Sequence, residues 1–123
     1  MFNKTFALSL LSIACTAAIL YFSSMPAGTG GPVGINPSGD VVHFVVYGVY
    51  AAVVFATLSR FSLSKPLAIS LAIAAALGAI TELVQLFVPG RVCDPVDFLF
   101  NVVGALAGLA VLHLLKRKLR RRL

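Results

Sequence analysis

The sequence predicts an all-α integral membrane protein, a four-transmembrane-helix bundle with both termini cytoplasmic. Three observations carry that expectation. The 123-residue chain is 59% hydrophobic and only 11% charged, against roughly 25% charged residues in soluble domains, and its mean hydropathy is +0.99. A chain this short leaves much of its surface exposed and cannot bury that much apolar side chain in its own core. The apolar residues fall into four runs, each close to the ~20 residues that cross a bilayer core of about 30 Å. The basic residues lie almost entirely where one membrane face would collect them.

The first run, residues 6–22, follows Lys4 and precedes SSMPAG. Signal peptides share that pattern. The run is longer than a usual signal core, however, and its removal would leave three spans with opposed termini, so retention is expected. Gly and Pro in SMPAGTGGPVGINPSG stop it. The second run, 41–59, is joined to the third, 66–88, by the basic turn RFSLSK, and PGRVCDP joins the third to the fourth, 96–115. Connections this short make spans two, three and four antiparallel neighbours. With the basic tail 116–123, the four spans form a single domain, 1–123.

Charge sets the expected orientation. Nine of the ten basic residues, from Lys4, Arg60 and Lys65 to the tail KRKLRRR, fall on one side if both termini are cytoplasmic, leaving Arg91 alone on the other. The positive-inside rule favours that arrangement in a cell membrane. The net charge of +6 then reports contact with the lipid bilayer and its anionic headgroups. No nucleic acid is expected as a partner, because a tail of seven residues after a span, KRKLRRR, builds no recognition module. Cys15 falls inside a span and Cys93 in a turn, too far apart to bridge without distorting the bundle, so both are expected as free thiols.

The polar residues then stand out. All four acids, Asp40, Glu82, Asp94 and Asp97, fall toward the extracytoplasmic half. Spacings of three and four place Asp40, His43 and Tyr47 on one helix face, Glu82 and Gln85 on another, and Asp97, Asn101, Gly104 and Gly108 on a third. Counted from the helix ends, Tyr47, Glu82 and Asn101 share a depth of ~10 Å, with His43 and Asp97 one turn nearer the surface. An acid within a span costs on the order of 3 kcal/mol. An interhelical hydrogen bond returns only about 0.6–2 kcal/mol, so function explains the cluster better than packing alone.

In the enzymatic reading Glu82 or His43 is the general base, with Asp97 and Asn101 orienting the reacting groups. Arg91 would hold the phosphate or carboxylate of a lipid-linked anionic substrate at the outer leaflet, or else pair with Glu82, Asp94 or Asp97. Gln85, Tyr47 and Asp40 complete the candidate binding set. His43, Glu82, Asp94 and Asp97 would also suit a metal, but no HExxH or tight Cys/His spacing supports one, and neither metal nor cofactor is expected. Gly104 and Gly108 form a GxxxG packing pattern whose neighbour is a helix of the same chain or, in a homo-oligomer, a second copy. Transport needs a polar route to the other face, where only Thr57 and His113 stand out. A non-enzymatic membrane scaffold remains the alternative.

HFVVYG, then ELVQLFVPGR, then DFLFNVVGALAG, in this order over roughly residues 40–108, resemble the VanZ-like family of small membrane proteins. The resemblance carries over Asp40, His43, Tyr47, Glu82, Gln85, Arg91, Asp97 and Asn101. Members often have a basic residue after the aspartate that opens span two, where this chain has Val41. What the resemblance implies is a role at the cell envelope, modifying or protecting a lipid-linked or surface component, and a link to teicoplanin (glycopeptide) resistance.

Overall fold

Each helix starts and stops where its local sequence dictates. The computed structural model describes residues 3–27 and 39–122, and these form four helices: α1 Lys4–Ser23, α2 Asp40–Leu58, α3 Pro66–Gln85 and α4 Pro95–Arg122. All four are long and apolar enough to cross a membrane, and no strand occurs among the described residues. Most of the Gly- and Pro-rich connector expected between the first two spans lies outside the described residues. Asn3 caps α1, its side chain accepting from the Thr5 amide at 3.1 Å, which satisfies one of the free donors of the first turn. Pro66 and Pro95 take the first helical positions, where a missing N–H costs nothing. Asp94 caps α4, its carboxylate accepting from the Val96 amide at 2.8 Å.

Two boundaries differ from expectation. The third run was expected to reach residue 88, but α3 ends at Gln85. The amides of Leu86, Phe87 and Val88 bond three residues back, to Leu83, Val84 and Gln85, a 3₁₀-type tightening. Pro89 explains it, since the residue before a proline is pushed out of the α region. The basic tail, by contrast, continues α4 to Arg122. Lys and Arg are good helix formers, and positive charge suits a helix C-terminus.

The helices run in alternating directions. The chain of contacts on α2 and α4 keeps a nearly constant offset: Phe44 lies against Gly104, Gly48 against Gly108, and Phe55 beneath the Lys116 ammonium at 4.4 Å. Those two helices are therefore parallel, with α3 antiparallel to both. They also form the most extensive helix pair, and glycine makes this possible. A methyl group at Gly104 would collide with the Phe44 carbonyl, and one at Gly108 with that of Gly48. The neighbour admitted by the GxxxG pattern is thus α2 of the same chain.

Helix α1 packs on α2 and α3 and, among the described residues, does not touch α4. Hydroxyl groups hold it there. Thr16 donates to the Ser12 carbonyl and so accepts from the Tyr50 hydroxyl at 2.9 Å. Thr57 meets the Ser12 hydroxyl at 2.8 Å and the Leu8 carbonyl at 3.1 Å. Thr57 therefore serves helix packing, and His113 is exposed on α4. Cys15 and Cys93 are free thiols.

The distribution of polarity is inverted relative to a soluble domain. Val45, Val49, Leu83, Leu99 and Leu106 are exposed, while His43, Thr57, Ser70, Thr81, Glu82, Gln85 and Asn101 are buried. An apolar belt of that extent has lipid as its natural solvent.

Candidate functional site

The site lies where α2 and α4 begin and α3 ends. Its centre is His43, 7% exposed, whose Nδ1 lies 2.8 Å from Asn101 Oδ1. A carbonyl oxygen only accepts, so with the amide in this orientation Nδ1 carries the hydrogen. The other ring nitrogen, Nε2, then either keeps a lone pair or, protonated, faces the Asp97 carboxylate at 3.9 Å. This is the arrangement of an oriented base: one side fixes the tautomer and the other offers negative charge to the imidazolium. Asn101 is fully buried. Gly78 makes room for it, because a methyl group there would meet the Asn101 side chain at 3.3 Å.

Glu82 has a divided role. Its Oε2 accepts from the Asp94 amide at 3.0 Å, tying the end of α3 to the residue that caps α4. Its Oε1 is buried with no partner among the described residues, as are His43 Nε2 and Asn101 Nδ2. An unsatisfied buried polar group costs about 1–3 kcal/mol, so three in one cluster form an arrangement that awaits a further hydrogen-bonding group.

Tyr47 lies one turn deeper than His43. Thr81 donates to the Gly78 carbonyl at 2.9 Å, so the Tyr47 hydroxyl must donate to Thr81 at 2.8 Å. The phenol has one hydrogen and it is engaged. Gln85, 2% exposed, receives no side-chain hydrogen bond among the described residues. Asp40 is exposed at the start of α2, beside Asp97.

Arg91 makes none of the three ion pairs considered for it, with Glu82, Asp94 or Asp97; His43–Asp97 is the one pair among the described residues. Its Nε donates to the Met25 carbonyl at 3.0 Å and one Nη to that of Phe22 at 3.4 Å. The preceding turn delivers it. Gly90 has φ +75 and the Arg91 amide bonds the Val88 carbonyl at 3.1 Å, so Pro89-Gly90 form the centre of a type II turn, whose third residue favours glycine. Arg91 thus clamps the C-terminal carbonyls of α1, where a cation is favoured. Three of its five N–H donors remain for another acceptor.

The structure therefore joins His43, Asn101, Asp97 and Glu82, places Tyr47 beneath them and Gln85 at the end of α3 beside them, and sets Arg91 on α1. Two contributors escaped sequence reasoning, Thr81 and Gly78. Their spacing from Glu82 and Gln85 along one face of α3 was the available signal. No group of three His, Cys, Asp or Glu is placed to hold a metal among the described residues.

Four helices long and apolar enough to cross a membrane, three of which form an imidazole–carboxylate–amide cluster, define a small multi-pass membrane protein with an internal polar site. The model of one family, VanZ/LLP1, matches residues 4–116, a stretch that contains all the candidate residues. The chain belongs to the VanZ/LLP1 family. No curated protein and no solved structure matches it.

Proposed function

We propose that this VanZ-family protein acts at the cell envelope on a lipid-linked anionic component, with His43 as the proton acceptor. The observation that carries the reading is the trio of buried, unpartnered atoms, His43 Nε2, Glu82 Oε1 and Asn101 Nδ2. A substrate hydroxyl would give its proton to Nε2, and Asp97 would stabilise the resulting imidazolium. Glu82 Oε1 would accept a hydrogen bond from the substrate and Asn101 Nδ2 would donate one. The remaining N–H groups of Arg91 suit an anionic headgroup at the extracytoplasmic surface. In this reading the cluster also underlies protection against teicoplanin.

A second reading is favoured by a specific observation. The Ser12–Thr57 and Thr16–Tyr50 pairs show that this bundle also uses polar side chains simply to join helices. A scaffold that docks other membrane proteins would need no more. Teicoplanin susceptibility of a sensitive host separates the two, with wild type, His43→Gln and Glu82→Gln at matched membrane levels. Wild-type protection lost in both variants is the expected result. Equal protection by all three removes proton transfer and favours the scaffold. No protection by wild type places the role outside glycopeptide resistance.

A further inference from the structure

Between α1 and α2, next to the polar cluster, lies a cavity of about 440 Å³. It extends along Cys15–Ser23 of α1 and Val42–Tyr50 of α2, about 12 Å at 1.5 Å per residue. Ala18, Val45 and Val49 line it and are themselves exposed on the outside of the bundle, so the cavity opens sideways, toward lipid. Its size falls within the range of small-molecule sites. It has room for on the order of fifteen methylene-sized groups, taking the ~30 Å³ of one water for each.

The walls are apolar, but one end is not. His43 and Gln85 both line the cavity. Gln85 is 2% exposed as a residue and makes no side-chain hydrogen bond among the described residues, and His43 Nε2 is buried without a partner. The middle of an ordinary acyl chain would fill the walls and leave both groups unsatisfied, at the usual cost of buried polar atoms. A chain that ends in a polar group at their level matches both. Phe22 links this end to Arg91: it lines the cavity, and its carbonyl accepts from the guanidinium.

We infer that the α1–α2 cavity is a slot for a single hydrocarbon chain of a membrane amphiphile, entered from the side, with the polar group at the chain's end received by Gln85 and His43. The slot supplies the tail-binding half of the site proposed above and rests on that reading for its link to function. The proton acceptor is then the same imidazole that meets the end of the chain. The bundle brings the reactive group of a lipid-linked molecule to the cluster without drawing it out of the bilayer.

Photolabelling of the full chain in lipid nanodiscs tests the slot, with hexadecyl phosphate bearing a diazirine on its chain as the probe. Labels are expected on α1 between Cys15 and Phe22 and on α2 between Val42 and Tyr50. Ala18→Trp and Val49→Trp, at two lipid-facing positions, each lower that labelling about tenfold, as a site-blocking loss of about 1.4 kcal/mol would. Ile80→Trp on the exposed face of α3 leaves it unchanged. Gln85→Leu weakens labelling by the phosphate probe but not by a diazirine-bearing alkane.

Labels spread evenly over all lipid-facing helices, or unaffected by both blocking variants, overturn the slot. So does an alkane that labels as strongly as the phosphate in wild type. Glu82→Gln, outside the slot, separates this inference from the proposed chemistry. Slot labelling with full protection by Glu82→Gln and His43→Gln leaves the slot and removes proton transfer. Protection lost in those variants with no slot labelling removes the slot alone.

Discussion

Glu82 shows how one side chain serves structure with one oxygen and leaves the other available. Glutamine in its place retains an oxygen that can accept from the Asp94 amide but cannot titrate. Glu82→Gln is therefore expected to unfold in detergent within about 1 kcal/mol of wild type, whereas Glu82→Leu, which leaves that amide without an acceptor, loses about 1–3 kcal/mol. Thermal or denaturant unfolding of the two variants checks the split, and equal losses would show that the capping bond is unimportant. Gly78 gives a complementary expectation. A methyl group there meets the Asn101 side chain at 3.3 Å and Tyr47 at 3.5 Å, so Gly78→Ala should disturb the cluster while the fold persists. Reduced protection at wild-type membrane levels is the expected result.

At the scale of the elements, the close α2–α4 pair and the clamped end of α1 are the features most open to test. Gly104→Ala drives a methyl group into the backbone of Phe44, while Gly48→Ala meets the Gly104 carbonyl at 3.0 Å. A backbone cannot move aside as a side chain does, so Gly104→Ala is expected to destabilise by about 1–3 kcal/mol, the usual range for overpacking. Gly48→Ala should cost less. Unfolding measurements that rank them the other way would contradict the packing described. Arg91→Lys keeps the charge but loses the planar fork that reaches Phe22 and Met25 together. Amide exchange in the last turn of α1 should accelerate in this variant while the α2–α4 pair stays protected.

For the molecule as a whole, the apolar exterior and the buried polar groups define a membrane bundle, and the basic residues set a testable orientation. Lys4, Arg60, Lys65 and the end of α4 gather at the opposite end from Cys93. The positive-inside rule then predicts Cys93 on the extracytoplasmic side. In intact cells a membrane-impermeant maleimide should label Cys93 in a Cys15→Ser variant, whereas the single cysteine of a Cys15→Ser, Cys93→Ser, Leu119→Cys triple variant should react only after permeabilisation. The reverse pattern would invert the topology and move the polar site to the cytoplasmic face.

Length, composition and run spacing alone determined the four helices, because lipid imposes one simple demand: about 20 apolar residues with every backbone group bonded internally. Helical spacing likewise brought His43, Glu82, Asp97 and Asn101 to one end, since residues three and four apart must share a face. Tertiary structure decided the pairings. Asn101, and not a carboxylate, orients His43. Glu82 braces the turn before α4, and Arg91 holds carbonyls 66 and 69 residues earlier in the chain. Hydrogen bonds and cavities depend on where two helices meet to within an ångström, and no periodicity along one helix contains that distance. Thr81 and Gly78 stayed hidden for the same reason. A threonine or a glycine in an apolar helix looks ordinary until the facing Tyr47 and Asn101 are in place.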